Sequence, residues 1–235
     1  MNYLYEVSNL SKVYGKGETS VHALNGISVN IERGKFVVVL GASGSGKSTL
    51  LNILGGMDRT NEGKIVFDGE DITNFDQKKL TRFRKENIGF VFQSYNLLPN
   101  LTAIENVEFS TEISKLPKEG AQNALAAVGL AQRKNHYPAE LSGGEQQRIS
   151  IARAIAKKPK VLLCDEPTGA LDYKTGIMIL NVLHDINKKQ GTSIILITHS
   201  QDIAKIADVV IKMRSGKIID YQNVSSPLSP NEVEW

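Results

Sequence analysis

The segment GASGSGKS, Gly41 to Ser48, fits the spacing G-x-x-x-x-G-K-[ST] and sits between an apolar run, KFVVVLG, and a stretch of helical pattern from about Lys47 to Leu54. Gly41, Gly44 and Gly46 allow the backbone to curl around phosphate groups, and Ser43, Ser45 and Thr49 complete the binding loop. Lys47 neutralises the charge of β- and γ-phosphates, and the Ser48 hydroxyl can bind Mg²⁺. A second candidate, VLLCDEP, ends an apolar strand in two adjacent carboxylates. Behind a phosphate loop they divide the labour: Asp165 holds the Mg²⁺ shell and Glu166 reaches an attacking water as general base. A third, LSGGEQQR, has no group that does chemistry alone. Its Ser142, Gly143 and Gly144 stand just ahead of a helix, where free N–H groups and the helix dipole receive an anion.

Elements must hold these groups in place. The 235 residues suffice for one large domain, or a core with a subdomain. A net charge of +3 with both signs mixed argues against a nucleic-acid binder, and the basic run Gln77 to Lys85 reads as a solvated helix face with Leu80 and Phe83 turned inward. Cys164 is the single cysteine, which excludes an internal disulfide and fits a reducing compartment. The N-terminus MNYLYEVSNL lacks the basic head and apolar run of a signal peptide, and no apolar stretch approaches bilayer-spanning length, so a chain soluble by itself is expected.

From Tyr3 to Ile31 the pattern predicts short strands with turns at YGKGE and LNG, an antiparallel layer before the main fold. A buried strand over Lys35 to Gly41, a strand ending at Gln93, and strands at VLLCDEP, SIILITH and DVVIKM alternate with helices, which implies a largely parallel sheet covered on both faces. Thr102 to Ala156 reads as helical throughout. The expected division is 1–93 for the antiparallel layer and first part of the core, 94–158 for a helical subdomain, 159–222 for the rest of the core, and 223–235 for a Ser/Pro-rich tail, loosely held unless Trp235 docks.

GASGSGKST, VFQ, LSGGEQQR, VLLCDEPTGALD and ITH, in that order and across most of the chain, resemble the nucleotide-binding subunit of an ABC transporter. IGFVFQSYNLLPNLTAIENVE and DEPTGALD resemble the subfamily serving macrolide exporters, lipoprotein-releasing complexes and antimicrobial-peptide resistance systems. The resemblance implies an α/β P-loop NTPase core of RecA-like type, with an antiparallel β subdomain and an inserted helical subdomain. It implies ATP and Mg²⁺ as ligands and two ATP molecules sandwiched head to tail, with Ser142 to Gly144 meeting the γ-phosphate bound by a second copy. By the same resemblance Tyr14 stacks on adenine, Gln93 reaches Mg²⁺ and the water, His199 contacts the γ-phosphate, and Asp172 lies across the dimer interface. Without the family these would be a packing aromatic, a strand-end glutamine, a surface histidine and a helix N-cap.

Two positions depart from the family pattern. Cys164 stands where a small or aliphatic residue is usual and reads as a buried hydrophobe, and Ser200 follows His199 where aspartate is frequent. The expected setting is the cytoplasm, on the inner face of the membrane through a separate integral membrane permease. An ATPase that regulates a non-transporting membrane complex, of cell-division type, would share every motif; a translation-associated or DNA-repair ATPase would need a second module or a long coiled coil. The loop Gln93 to Val107, with Tyr95, Leu97, Leu98 and Leu101 around Pro99, is expected either to pack on its own helices or to receive a short permease helix.

Overall fold

The computed structural model describes residues 3–234. Two sheets carry the fold. Strands β1 (Tyr3–Tyr14), β2 (Val21–Glu32), β4 (Glu62–Phe67) and β5 (Glu70–Asp71) form an antiparallel sheet in the order β2-β1-β4-β5. Strands β3 (Phe36–Leu40), β6 (Ile88–Phe92), β7 (Val161–Asp165), β8 (Ser193–Thr198), β9 (Val209–Arg214) and β10 (Lys217–Asn223) form a second in the order β10-β9-β3-β8-β7-β6. The second sheet is parallel except at β10, which returns antiparallel along β9 and was not marked by the sequence pattern.

The predicted turn at LNG is instead the interior of a long strand. Leu24 pairs with Lys12 and Ile27 with Leu10, and the register shift between those pairs absorbs Gly26 at φ +67°, a β-bulge in place of a reversal. Glycine signals a left-handed backbone here, but the chain keeps its direction.

Every residue of β3 is buried, and its side chains alternate between two cores. Phe36, Val38 and Leu40 face the helical side, with Leu162 and Cys164 of β7. Val37 and Val39 face the antiparallel sheet and helix α1 (Lys47–Leu54). A near-continuous apolar strand is what a sheet covered on both faces requires. On the second side Tyr5 is fully buried, donates its hydroxyl to the Leu54 carbonyl at 2.9 Å, and meets Phe67 edge-on at 4.9 Å. That bond satisfies one of the carbonyls orphaned at the end of α1. Helix α2 (Gln77–Asn87) turns Leu80 and Phe83 inward, as its pattern predicts.

The helical insert contains α3 (Ala103–Ile113), α4 (Glu119–Ala127) and α5 (Gly143–Ile155). Buried Asn106 closes the loop before α3, accepting from the Leu98 N–H and donating to the carbonyls of Leu98, Leu101 and Thr102. Helix α6 (Tyr173–Gln190) follows β7.

The tail is not loose over its described residues. A 3₁₀ turn at Pro230–Glu232 packs on α6, Val233 is buried in the helical-side core, Tyr173 donates to the Val233 carbonyl at 2.9 Å, and Asn181 donates to Asn231 at 2.7 Å. Serine and proline exclude a helix there, but one valine and a few polar side chains are enough to dock the segment. The expectation for Trp235 lies outside the described residues.

Candidate functional site

Parallel pairing brings the chemistry to one edge. Leu40 pairs with Thr198, Asp165 with Ile197, and Phe92 with Asp165, so the chain leaves the carboxyl ends of β3, β8, β7 and β6 side by side. The next residues are Gly41, His199, Glu166 and Gln93. Ligands of open parallel sheets bind at that edge. A cleft of about 790 Å³ opens there, lined by Ser43 to Thr49, Gln93, Asp165, Glu166, His199 and, at its rim, Tyr14.

The loop before α1 is shaped by its glycines. Gly46 caps the helix at φ +99°, and a Cβ there would come within 2.4 Å of the Ala23 carbonyl oxygen. No other residue type fits so close an approach at that φ. Lys47 is buried, with its ammonium donating to the carbonyls of Gly41 at 2.7 Å and Ala42 at 2.9 Å. An ammonium has three donors, so one is left for an anion in the loop. Ser45 is buried as well, and its hydroxyl has no hydrogen-bond partner.

Asp165 ends β7 opposite α1 and is hydrogen-bonded to Ser48. Burial pushes its carboxyl pKa up, the Glu166 charge adds to the rise, and the Ser48 bond and Lys47 charge oppose it. Glu166 has φ +48°, a left-handed backbone uncommon for a residue with a side chain. Its N–H donates to Ile197 and its carbonyl accepts from Gly169, which fixes the turn. The Gln93 amide lies against this turn, since a Cβ on Gly169 would sit 3.0 Å from Gln93 Nε2. Ser48, Asp165 and Gln93 together offer oxygen donors beside the phosphate loop. That hard, sparse donor set suits Mg²⁺, which keeps waters and shares its shell with phosphate oxygens. Among the described residues no group of three or more His, Cys, Asp or Glu is placed to hold a metal ion.

At the rim Tyr14 is 41% exposed. Its hydroxyl donates to Asp58 at 2.6 Å, and the Lys12 ammonium lies 4.8 Å from its ring centre. Lys12 in turn bonds Asp58 at 2.7 Å, and that bond with the one from Tyr14 holds the Asp58 carboxyl below its ordinary pKa although partial burial works the other way. The ring is therefore fixed in orientation with much of its surface open.

Ser142, Gly143, Gly144 and Asp172 are not among the residues lining the cleft. Ser142 caps α5 in a capping box: its hydroxyl accepts from the Glu145 N–H at 3.3 Å, and the Glu145 carboxylate accepts from the Ser142 N–H at 2.9 Å. Gly144 packs so tightly on α6 that a Cβ would fall 2.2 Å from Thr175 Cγ2, and one on Gly143 would fall 2.7 Å from the Tyr95 hydroxyl. Asp172 caps α6, accepting from the Thr175 N–H at 3.1 Å. Sequence reasoning missed Val21, His22, Ala23, Phe92 and Asn96, which also line the cleft. The β2 residues reach it because the antiparallel layer folds against the phosphate loop, a contact no local pattern announces. Cys164 is fully buried and burial pushes its thiol pKa up, as a hydrophobe in place of a nucleophile.

No helix among the described residues is long and apolar enough to cross a membrane. The family model described as ABC transporter matches residues 24–169. The chain is 44% identical over 231 residues to the macrolide export ATP-binding/permease protein MacB of Azoarcus sp., covering 97% of this chain and 35% of that protein, so it spans about a third of that relative's length. It is 43% identical to the lipoprotein-releasing system ATP-binding protein LolD of Geobacter metallireducens, over 93% of this chain and 99% of that one. Among solved structures, a dimeric post-hydrolysis state of the ATP-binding cassette MJ0796 of Methanocaldococcus jannaschii, bound to ADP and Pi, superposes with a TM-score of 0.87 at 37% identity, covering 94% of this chain and 99% of that one. The phosphate-loop cleft, the two-sheet fold and these matches have one reading: the chain belongs to the ABC transporter family, as an ATP-binding cassette ATPase.

Proposed function

We propose that two copies of this chain close around two Mg-ATP molecules and that hydrolysis drives a separate membrane permease of the export or lipoprotein-handling type. The observation that carries this reading is the division of phosphate-seeking groups. One set, Ser43 to Thr49 with Gln93, Asp165, Glu166 and His199, lines the cleft, while Ser142 to Gly144 and Asp172 lie outside it on the same chain. A second copy supplies the second set to the first copy's nucleotide, and the dimeric state of the MJ0796 cassette supports that pairing.

In this arrangement Tyr14 stacks on adenine, and the loop N–H groups with Lys47 hold the β- and γ-phosphates. Ser48, Asp165 and Gln93 would hold Mg²⁺, which when bound neutralises charge on the phosphate oxygens. Glu166 takes a proton from the water that attacks the γ-phosphorus, and the bond to the bridging oxygen of ADP breaks. His199 positions the Glu166 carboxylate and faces the γ-phosphate. Ser142 to Gly144 of the second copy complete the anion site from the far side. Because the dimer is held by ATP, its opening after hydrolysis transmits movement to the permease. The cassette thereby resides at the cytoplasmic face of the membrane, held there by its permease.

Of the loop proposed to meet the permease, Leu97 packs on the core and the Tyr95 hydroxyl lies against Gly143, whereas Leu98 is 40% exposed. Leu98 is thus the position to probe. The function itself is tested by ATP turnover of the purified chain and its Glu166→Gln variant. The variant should keep Mg-ATP affinity, lose about 10²–10⁴-fold in turnover, and accumulate as an ATP-bound dimer. Turnover near that of the parent overturns the assignment of Glu166.

A further inference from the structure

Gln147 lies in LSGGEQQR, on α5 one turn beyond Ser142, and its residue is fully buried. Its side-chain amide donates to two carbonyls from different parts of the chain: Phe92, the residue before Gln93, at 3.2 Å, and Pro167, the residue after Glu166, at 2.9 Å. Two carbonyl acceptors fix which end of the amide is nitrogen. The amide oxygen has no hydrogen-bond partner although it is buried. Packing alone does not call for such a residue, because its buried, unpaired amide oxygen is a cost that an apolar side chain of similar volume would not carry. What glutamine supplies, and methionine or leucine does not, is one amide nitrogen with two N–H donors that ties the ends of β6 and β7 to a single point on α5.

The same helix grips the far side of Gln93. Arg153, two turns further on, donates to the carbonyls of Tyr95 at 3.0 Å and Asn96 at 2.5 Å. Gln93 is therefore bracketed by α5, at the residue before it through Gln147 and at the second and third residues after it through Arg153. Among the described residues Gln147 is the α5 side chain that hydrogen-bonds the Glu166–Pro167 turn, and a Cβ on Gly169 of that turn would sit 3.0 Å from Gln93 Nε2. The N-terminus of α5 is the part of the chain that faces the other copy's nucleotide in the function proposed above, on which this inference rests.

We propose that Gln147 is a positioning residue for hydrolysis: it makes the placement of Gln93 and Glu166 in a chain's own cleft depend on where its α5 sits, and so on whether Ser142 to Gly144 have engaged the nucleotide of the other copy. A packed element with hydrogen bonds at both ends transmits small displacements because it does not deform continuously. Engagement at one site then assembles the water-activating groups at the other, which makes the two sites of a dimer turn over cooperatively. Gln147 is fully buried and is not among the residues lining the cleft, so its loss leaves ATP binding in place.

The test uses full-length chain carrying Gln147→Met, which keeps length and loses both donors, and Gln147→Asn, which keeps an amide too short to reach both carbonyls. Mg-ATP is the probe. Binding affinity, kcat, the Hill coefficient for ATP, and ATP-dependent dimer formation in a Glu166→Gln background are measured alongside thermal unfolding. The expected result is parent-like affinity and dimer formation, with kcat lowered about 10–100-fold, as for a displacement of the reacting groups by about an ångström, and a Hill coefficient reduced toward one. A folded variant with parent-like kcat and Hill coefficient overturns the inference. So does loss of ATP binding in step with thermal stability, or failure of both variants to fold, since each marks Gln147 as a packing residue. Absence of an ATP-dependent dimer in the parent Glu166→Gln chain would instead overturn the dimeric function, and that control is read first.

Discussion

His199 Nδ1 lies 2.9 Å from Glu166 Oε2 and 3.0 Å from Oε1, so the imidazole at the end of β8 holds the carboxylate at the end of β7. The two residues are 33 positions apart and meet because β7 and β8 pair in parallel, Asp165 against Ile197. Glu166 has a left-handed backbone at φ +48°, a conformation that costs on the order of 1–3 kcal/mol and is found where a functional side chain must be aimed. His199→Ala should leave ATP affinity close to that of the parent and lower kcat about 10²-fold through misplacement of the carboxylate. His199→Gln, which retains a donor, should recover part of that loss. Steady-state kinetics with a separate nucleotide-binding measurement checks both, and parent-like kcat in His199→Ala removes His199 from the mechanism.

Tyr14 supplies a second test, on binding instead of chemistry. Tyr14→Phe loses the Asp58 bond but keeps the ring face and its Lys12 contact, so it should retain adenine stacking, while Tyr14→Ala should lose about 1–3 kcal/mol of ATP affinity, the usual worth of a base on an aromatic face. Calorimetric titration with ATP separates the two. Equal affinity in both variants would place the adenine elsewhere.

How much of this was legible in the sequence follows from the range of each signal. Gly41 to Ser48 is a local pattern whose glycines and lysine act within one turn, and the loop lies between β3 and α1, the strand–loop–helix order the pattern predicts. The nearness of Asp165 and Glu166 to it follows from the strand order β3-β8-β7, whereas the alternation of strands and helices implies only a largely parallel sheet. Gly26 misled, because a positive φ serves a bulge as well as a turn, and β10 was missed because its antiparallel return has an exposed, mixed composition. The tail misled because composition shows what cannot be helical and says little about what is docked. Gln147 stands in a motif whose pattern singles out only Ser142 to Gly144, yet it is fully buried; a polar side chain whose partners are 55 and 20 residues away leaves no trace in its own neighbourhood.

Lys157 gives a pH-dependent prediction. Burial, with the nearby Arg84 charge, pushes its ammonium down to about 8 from an ordinary 10.5, while the ammonium donates to the Arg84 carbonyl at 2.8 Å. Between those two pH values the unfolded chain binds more protons than the folded one, so this group's contribution to stability rises with pH across that window. Below about 8 its cost, on the order of 3 kcal/mol, is present in full. Lys157→Met should therefore stabilise the fold at pH 7, and its advantage over the parent should shrink as pH rises toward 10. Urea unfolding of both chains at several pH values checks this; an advantage that does not change with pH contradicts it.

Leu98 tests the link to the membrane. Leu98→Glu should leave basal ATPase and thermal unfolding unchanged, because the side chain is exposed and the loop is held through backbone bonds to Asn106. It should weaken association with the detergent-solubilised permease and the transport that depends on it. Tyr95→Glu, by contrast, should reduce basal ATPase, since Tyr95 lies against Gly143. Unchanged permease association and transport in Leu98→Glu would contradict the assignment of this loop.

The central claim is that each site is built from two chains, Lys47 from one and Ser142 from the other. Lys47→Ala and Ser142→Arg should each be inactive as homodimers. Mixed under conditions that exchange subunits, they form heterodimers in which one site combines an intact Lys47 with an intact Ser142. The account predicts that ATPase activity returns in part on mixing, in proportion to heterodimer formed. Heterodimers that form and hydrolyse no ATP would contradict it, because each chain would then complete its own site.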